Sequence, residues 1–133
     1  MRTFKMRNTM ITLALTFALA GGAARAESDF DFEELMNDVE TKTQNVQNNI
    51  AAKDFAAASK ESKELQDAFQ LVEGYFAARG DASDAVANAQ DYQKKAEAIQ
   101  NALSAGDADT AATVAADFSK QCRGACHDKY KPL

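Results

Sequence analysis

The feature of this chain that most limits its fold is a helical spacing of apolar and small residues that continues almost to its end. In four stretches such residues recur alternately three and four positions apart, which is the period of an α-helix and not of a β-strand. The stretches run from Phe32 to Ile50, from Phe55 to Phe76, from Ala85 to Leu103 and from Ala111 to Ala125. The only proline is Pro132, so nothing interrupts long helices. The pattern predicts an all-α fold, an antiparallel up-down-up-down four-helix bundle with helices of about 22 to 26 residues.

Residues that favour helix ends separate these stretches. Asp54 and Asp107 lie where a helix needs an N-cap acceptor, and Arg79-Gly80 is typical of a helix C-terminus with a left-handed glycine. Asp81 or Ser83 is then expected to cap the third helix. The predicted connections are only a few residues long, which makes consecutive helices antiparallel.

A short internal similarity supports this division. The segment from Ile50 to Asp54 is similar to the segment from Leu103 to Asp107, at an offset of 53 residues. The similarity fits two helical hairpins that lie side by side; the alternative is that the two segments share only the same kind of turn.

The first 26 residues are typical of a cleaved export signal. Three basic residues near the start precede an apolar run from Met10 to Ala20 that is too short to span a bilayer. Ala24-Arg25-Ala26 then provides a small-residue cleavage site. The sequence predicts a signal peptide over residues 1–26 and one domain over residues 27–133, beginning at Glu27 and located in the periplasm if the source is a bacterium.

The predicted mature chain is strongly acidic. Of the 15 lysines and arginines four lie in residues 1–26, whereas all 20 aspartates and glutamates lie in residues 27–133, so the mature charge is 11 − 20 = −9. Such a charge argues against nucleic acid and anionic membranes as partners and favours soluble partners with basic faces. A homodimer remains open.

Both cysteines and the only histidine lie within six residues, Cys122-Arg-Gly-Ala-Cys126-His127. Two cysteines with a histidine directly after the second form the attachment signature of c-type haem. Here the spacer has one extra residue. A regular helix would place Cys122 and His127 about 140° apart, against about 40° for the usual spacing. We therefore expect a widened turn, such as a π-bulge, at Arg123-Gly124.

Three other roles for these side chains remain open. A disulfide between Cys122 and Cys126 would be strained on a helix, because their Cβ vectors are nearly parallel. A metal site formed by these cysteines and His127 lacks an evident fourth ligand. A redox-active dithiol usually lies at a helix start, and this pair lies near a helix end.

The segment from Leu103 to Lys131 resembles the C-terminal part of class II c-type cytochromes, the cytochrome c′ family. In it Ala105-Gly106-Asp107 opens a helix that ends in the cysteine–histidine motif. The whole predicted bundle is also similar to the periplasmic four-helix b-type cytochrome. The resemblance implies covalent haem c on Cys122 and Cys126, with His127 as the proximal iron ligand.

In such a bundle the first turns of helix one lie beside the end of helix four, where they offer Met36 as a distal iron ligand. Apolar and aromatic residues at the same end are expected to line a haem pocket: Phe32, Leu35, Val39, Phe69, Val72, Phe76 and Phe118. A plain core role is the alternative for Met36 and for each of these residues.

The rim of this pocket offers side chains that could contact the haem propionates. These are Tyr75, Arg79, Arg123 and Lys129, for which a solvated surface role is the alternative. Gly74 is unusual inside helix two; it either lets the macrocycle approach or is simply tolerated.

Together these features predict a periplasmic monohaem c-type cytochrome that carries single electrons and is not an enzyme. No Ser/His/Asp set or phosphate-binding loop is present, and the only histidine is assigned to iron. The first alternative is a five-coordinate cytochrome c′ that binds NO or CO. The second is a haem-free helical adaptor or metal-handling protein with a Cys122–Cys126 disulfide.

Overall fold

The computed structural model describes residues 31–125, which form four α-helices. These are α1 (Phe32–Ala51), α2 (Phe55–Arg79), α3 (Ser83–Ser104) and α4 (Ala108–Ala125). Consecutive helices pack on each other across three-residue connections, and α1 also packs on α4. The predicted all-α four-helix bundle is confirmed. The predicted signal segment and residues 126–133, with Cys126, His127 and Lys129, lie outside the described part of the chain.

The core follows the predicted seam of each helix, by which we mean its apolar and small residues spaced alternately three and four positions apart. On α2 every seam position from Ala58 to Phe76 is buried, but Phe55, the first residue of that helix, is 36% exposed because it lies at the end of the bundle. In the last turn of α3 the buried residue is Ala102, and Leu103 is only partly buried. Phe32 and Met36 in the first turns of α1 and Val114 in the middle of α4 are also only partly buried. At the other described seam positions the helical period correctly predicted burial.

Three aromatic rings form the centre of this core. Phe69 of α2 lies with its ring centroid 4.9 Å from that of Tyr92 of α3 and 5.4 Å from that of Phe118 of α4. The Tyr92 and Phe118 centroids are 5.3 Å apart. All three side chains are almost completely buried, so these rings fix how three of the helices pack together.

The two similar segments form the same turn. After α1 the amide of Lys53 donates to the carbonyl of Ile50 and the amide of Asp54 donates to that of Asn49. After α3 the amides at positions 106 and 107 donate to the carbonyls at 103 and 102 in the same pattern, that of a Schellman motif. The internal sequence similarity therefore reflects the same backbone turn at two places in the chain.

Each of these turns also begins the next helix. Asp54 Oδ1 accepts from the Ala57 amide at 3.1 Å, and Asp107 Oδ1 accepts from the Thr110 amide at 3.0 Å. Hydrogen bonds from Thr110 lower the pKa of Asp107. Both predicted N-caps are confirmed.

The connection between α2 and α3 differs from the other two. Gly80 ends α2 with the predicted left-handed conformation, at φ 76°. The prediction that Asp81 or Ser83 caps α3 is wrong, because α3 starts behind the buried Ala82 without a side-chain cap. The Asp81 carboxylate instead lies 3.3 Å from the guanidinium of Arg79.

Polar side chains join the helices at their margins. Lys42 of α1 lies 2.8 Å from Glu64 of α2, and this bond raises the pKa of Lys42 and lowers that of Glu64. Glu73 of α2 accepts from Gln90 at 2.7 Å and from Gln93 at 2.6 Å, both on α3, which lowers the pKa of Glu73. These contacts fix the rotation of α2 against both neighbours.

Candidate functional site

A cavity of about 440 Å³ lies between α1 and α4. The side chains around it come from the second to fourth turns of α1 and from the end of α4. They are Met36, Asn37, Val39, Glu40, Thr41, Thr43, Gln44, Asn45, Ser119 and Cys122. The volume is within the range of about 300–1,000 Å³ in which proteins bind small molecules and cofactors.

The cavity brings together two of the residues that the sequence assigned to iron and haem. Met36 is half-buried and packs against the core, whereas Cys122 is buried. The Met36 thioether and the Cys122 thiol therefore belong to opposite walls of one space. Cys126 and His127, the other two predicted residues, lie outside the described residues.

The polar part of the lining was not predicted from the sequence. It lies on α1, where Asn37, Glu40, Thr41 and Gln44 follow a three- and four-residue spacing beside the apolar seam. That spacing was the available signal, but a polar stripe on a helix usually faces only solvent.

Several of these groups already form hydrogen bonds within the bundle. Thr43 Oγ1 donates to the carbonyl of Val39 at 2.7 Å. Gln44 Nε2 donates to Asn48 Oδ1 at 3.2 Å. Farther along α1, Gln47 Nε2 donates to the Ala115 carbonyl of α4 at 3.4 Å. The α1 wall is therefore oriented before any ligand binds.

The predicted aromatic pocket residues lie elsewhere. Phe69 and Phe118 belong to the central ring cluster, and Val72 is buried in the core. Phe32 stacks on Tyr75 with centroids 4.4 Å apart and meets the edge of the Phe76 ring at 5.6 Å. None of these residues lines the cavity beside Met36.

Two aliphatic residues were also predicted to line the pocket. Leu35 is partly buried and packs against the core without lining this cavity. Val39 lines the cavity as expected.

Two of the four predicted rim residues make other contacts, whereas the Arg123 side chain and Lys129 lie outside what the structure describes. Tyr75 is half-buried against Phe32, and Arg79 lies 5.6 Å from the Phe76 ring centroid beside its ion pair with Asp81. Gly74 is exposed, and a Cβ built there meets nothing within 4 Å, so the fold itself does not require a glycine at this position.

The widened turn expected at Arg123-Gly124 is not found. The backbone of α4 is α-helical through Ala125, without a π-turn between Ala108 and Ala125. The described part of α4 thus continues as a regular helix past Cys122, and Cys126 lies outside the described residues.

No family of known proteins, no curated protein and no solved structure matches this chain. The function of the site is therefore inferred from the chemistry of its own residues. Among residues 31–125, no three His, Cys, Asp or Glu side chains form a candidate metal-binding group. In the same range no helix is long and apolar enough to cross a membrane.

Proposed function

We propose that this protein is an exported monohaem c-type cytochrome that carries single electrons, with haem c bound where α1 begins and α4 ends. One observation carries the proposal: Met36 and Cys122 line the same cavity. The sequence alone placed these two residues at one end of a bundle, and they are 86 positions apart in the chain (122 − 36).

The residues present fit the chemistry of haem c. The thiols of Cys122 and Cys126 would form the two thioether bonds, and the imidazole of His127 would bind iron from the α4 side. The thioether of Met36 would supply the opposite ligand from α1. Bound haem supplies one-electron chemistry, whereas the chain holds the iron ligands and limits access of water.

Charge around the cavity supports a basic redox partner. The first three turns of α1 and the residue before them carry five carboxylates: Asp31, Glu33, Glu34, Asp38 and Glu40. The only positive charge on this helix is that of Lys42, two residues after Glu40, and it forms ion pairs with Asp38 and Glu64. A positively charged protein surface would be attracted towards the Met36 edge of the cavity.

The decisive experiment is export of the protein in a host that attaches c-type haem. Acid–acetone extraction and intact mass should show one haem retained on a chain that begins at Glu27. Colourless protein would refute the proposal and favour the haem-free adaptor. Pigment that extracts completely would replace covalent attachment by a b-type site.

Two variants of α4 separate thiol chemistry from packing. Cys122→Ser should leave haem attached through one bond only, which shifts the α band of the pyridine haemochrome. Ser119→Ala is the matched control, because Ser119 also lines the cavity from α4 and has no thiol. An unchanged spectrum in Cys122→Ser would show that Cys122 is not an attachment residue.

A further inference from the structure

The haem of the proposed site carries two propionate carboxylates that the cavity has to accommodate. A carboxylate that leaves bulk water needs a cation or hydrogen-bond donors to stay charged. Among the described residues that line the cavity there is no lysine or arginine. Lys42, the only cation of α1, is paired with Asp38 and Glu64, and Arg79 is paired with Asp81. Within the described part of the chain, the donors at this cavity are therefore neutral side chains.

We propose, on the basis of the haem site proposed above, that the side-chain amides of Asn37 and Gln44 bind the two propionates, one carboxylate each. Both side chains line the cavity and are exposed, so they form its solvent edge. Their seven-residue spacing places them within about 20° of each other around α1 and about 10 Å apart along it. Two donors on one face at this separation serve two different carboxylates.

The other polar side chains of the α1 wall are less suited to this role. The hydroxyls of Thr41 and Thr43 each donate to a backbone carbonyl one turn earlier, at 3.0 and 2.7 Å, so their protons are used. The Asn45 amide donates to the Glu61 carboxylate at 3.4 Å, and that negative charge repels a second carboxylate. Glu40 has the same charge as a propionate.

The amides of Asn37 and Gln44 keep N–H groups for a ligand. A primary amide has two N–H donors. Gln44 Nε2 donates to Asn48 Oδ1 at 3.2 Å, which leaves one donor. Among the described residues, Asn37 takes part in side-chain hydrogen bonds only through its backbone carbonyl, so both of its side-chain donors remain.

Attachment of haem to α4 orients it towards this wall. In haem the two vinyl groups and the two propionates lie on opposite edges of the macrocycle. Cys122 lines the cavity from α4, so a thioether bond there holds the vinyl edge against α4 and turns the propionate edge towards α1. Around α1, Asn37 lies about 100° and Gln44 about 80° from Met36. The two amides are therefore to one side of the thioether that would bind iron.

The neutral donors have a consequence for the reduction potential. A lysine or arginine would cancel a propionate charge, whereas an amide fixes the carboxylate and leaves its charge in place. Two negative charges beside Glu40 favour ferric iron, which carries the larger positive charge. The α1 wall thus holds haem at a lower midpoint potential than a wall with cations would.

Resonance Raman spectra of the exported haem protein test this assignment, because the propionate bending bands shift when their hydrogen bonds are lost. Asn37→Leu and Gln44→Leu should each shift these bands and lower the midpoint potential, and the double variant should do so most. Asn101→Leu is the matched control, because it replaces an exposed amide in the last turn of α3, at the other end of the bundle. It should change neither quantity. Retention of the original spin state in every variant confirms that the bond between Met36 and iron is not disturbed.

An added charge tests the same contact in the opposite direction. Asn37→Lys supplies a donor with a positive charge, so the propionate bands should shift towards stronger hydrogen bonding and the midpoint potential should rise. Asn101→Lys, which adds the same charge far from the cavity, should leave the bands unchanged. Propionate bands that do not move in the double leucine variant would overturn the assignment and leave the haem site intact. A colourless exported protein would instead refute the proposed function, and the assignment with it.

Discussion

Replacing Lys53 by glycine should stabilise the bundle. Lys53 is exposed and has a left-handed backbone with φ 61°, the only positive φ at a non-glycine residue within the described residues. In the equivalent turn after α3, Gly106 takes this conformation with φ 73°. Two equivalent turns thus place different residues in the left-handed conformation: glycine, which adopts it without strain, and lysine, which does not.

The size of the effect follows from two opposing contributions. The left-handed conformation costs a residue with a side chain roughly 1–2 kcal/mol. Glycine removes this cost but loses more conformational freedom on folding, which reduces the gain in stability by roughly 0.5–1 kcal/mol. Lys53→Gly should therefore raise the free energy of unfolding by about 0.5 to 1 kcal/mol, since Lys53 is exposed and its side chain adds no core packing.

Urea denaturation followed by circular dichroism measures this difference. The matched variant is Gly106→Lys, which should lower the free energy of unfolding by a similar amount, and the double variant should come close to the original protein because the sites are far apart. A neutral or destabilising Lys53→Gly, or a harmless Gly106→Lys, would refute the claim that backbone strain distinguishes the two turns.

Three further changes have defined outcomes. Gly74→Ala should raise the free energy of unfolding of dilute protein by roughly 0.5–1 kcal/mol, because the new methyl meets no atom; urea denaturation measures it. The pKa of Glu73 is lowered by Gln90 and Gln93, so its stabilisation is present above the ordinary carboxyl pKa of about 4.3 and is lost as the pH falls through the lowered value. The melting temperature should therefore fall less with decreasing pH in Glu73→Gln than in the original protein. Met36→Leu keeps most of the side-chain volume without the sulfur, so it should stay folded, turn the haem high-spin and allow rapid CO binding after reduction. A high-spin, CO-binding original protein would instead favour the five-coordinate alternative.

The sequence predicted the bundle because its information is periodic and local. Seam positions such as Leu65 and Tyr92 are buried, as the helical period predicts. Asp54 and Asp107 cap their helices by accepting hydrogen bonds from amides three residues later. The third helix start was mispredicted for a non-local reason. Ala82 is buried against the core, which fixes the start of α3 regardless of the polar residues on either side.

The lining of the cavity was harder to predict because aromatic residues can satisfy two roles with the same spacing. Phe69 and Phe118 have the period of a pocket wall, but both rings pack against Tyr92 in the core. The helical period predicts which side chains face the interior of the bundle. It does not predict which of them line a cavity and which pack in the core. The shared location of Met36 and Cys122 at one end of the bundle could be predicted, because it depends only on topology and on distance from a helix end.

The location of the cavity follows from how the bundle closes. The helices α1 and α4 form the only packed pair that no turn connects, and their contact is the sparsest of the four. On the α4 side the cavity is lined by two small residues, Ser119 and Cys122, so α4 fills little of the space beside this part of α1. Large side chains accumulate between α2, α3 and α4 instead, where Phe69 and Phe118 meet. The bundle therefore packs its large side chains between α2, α3 and α4 and leaves open volume beside Met36 and Cys122, where the proposed haem would bind.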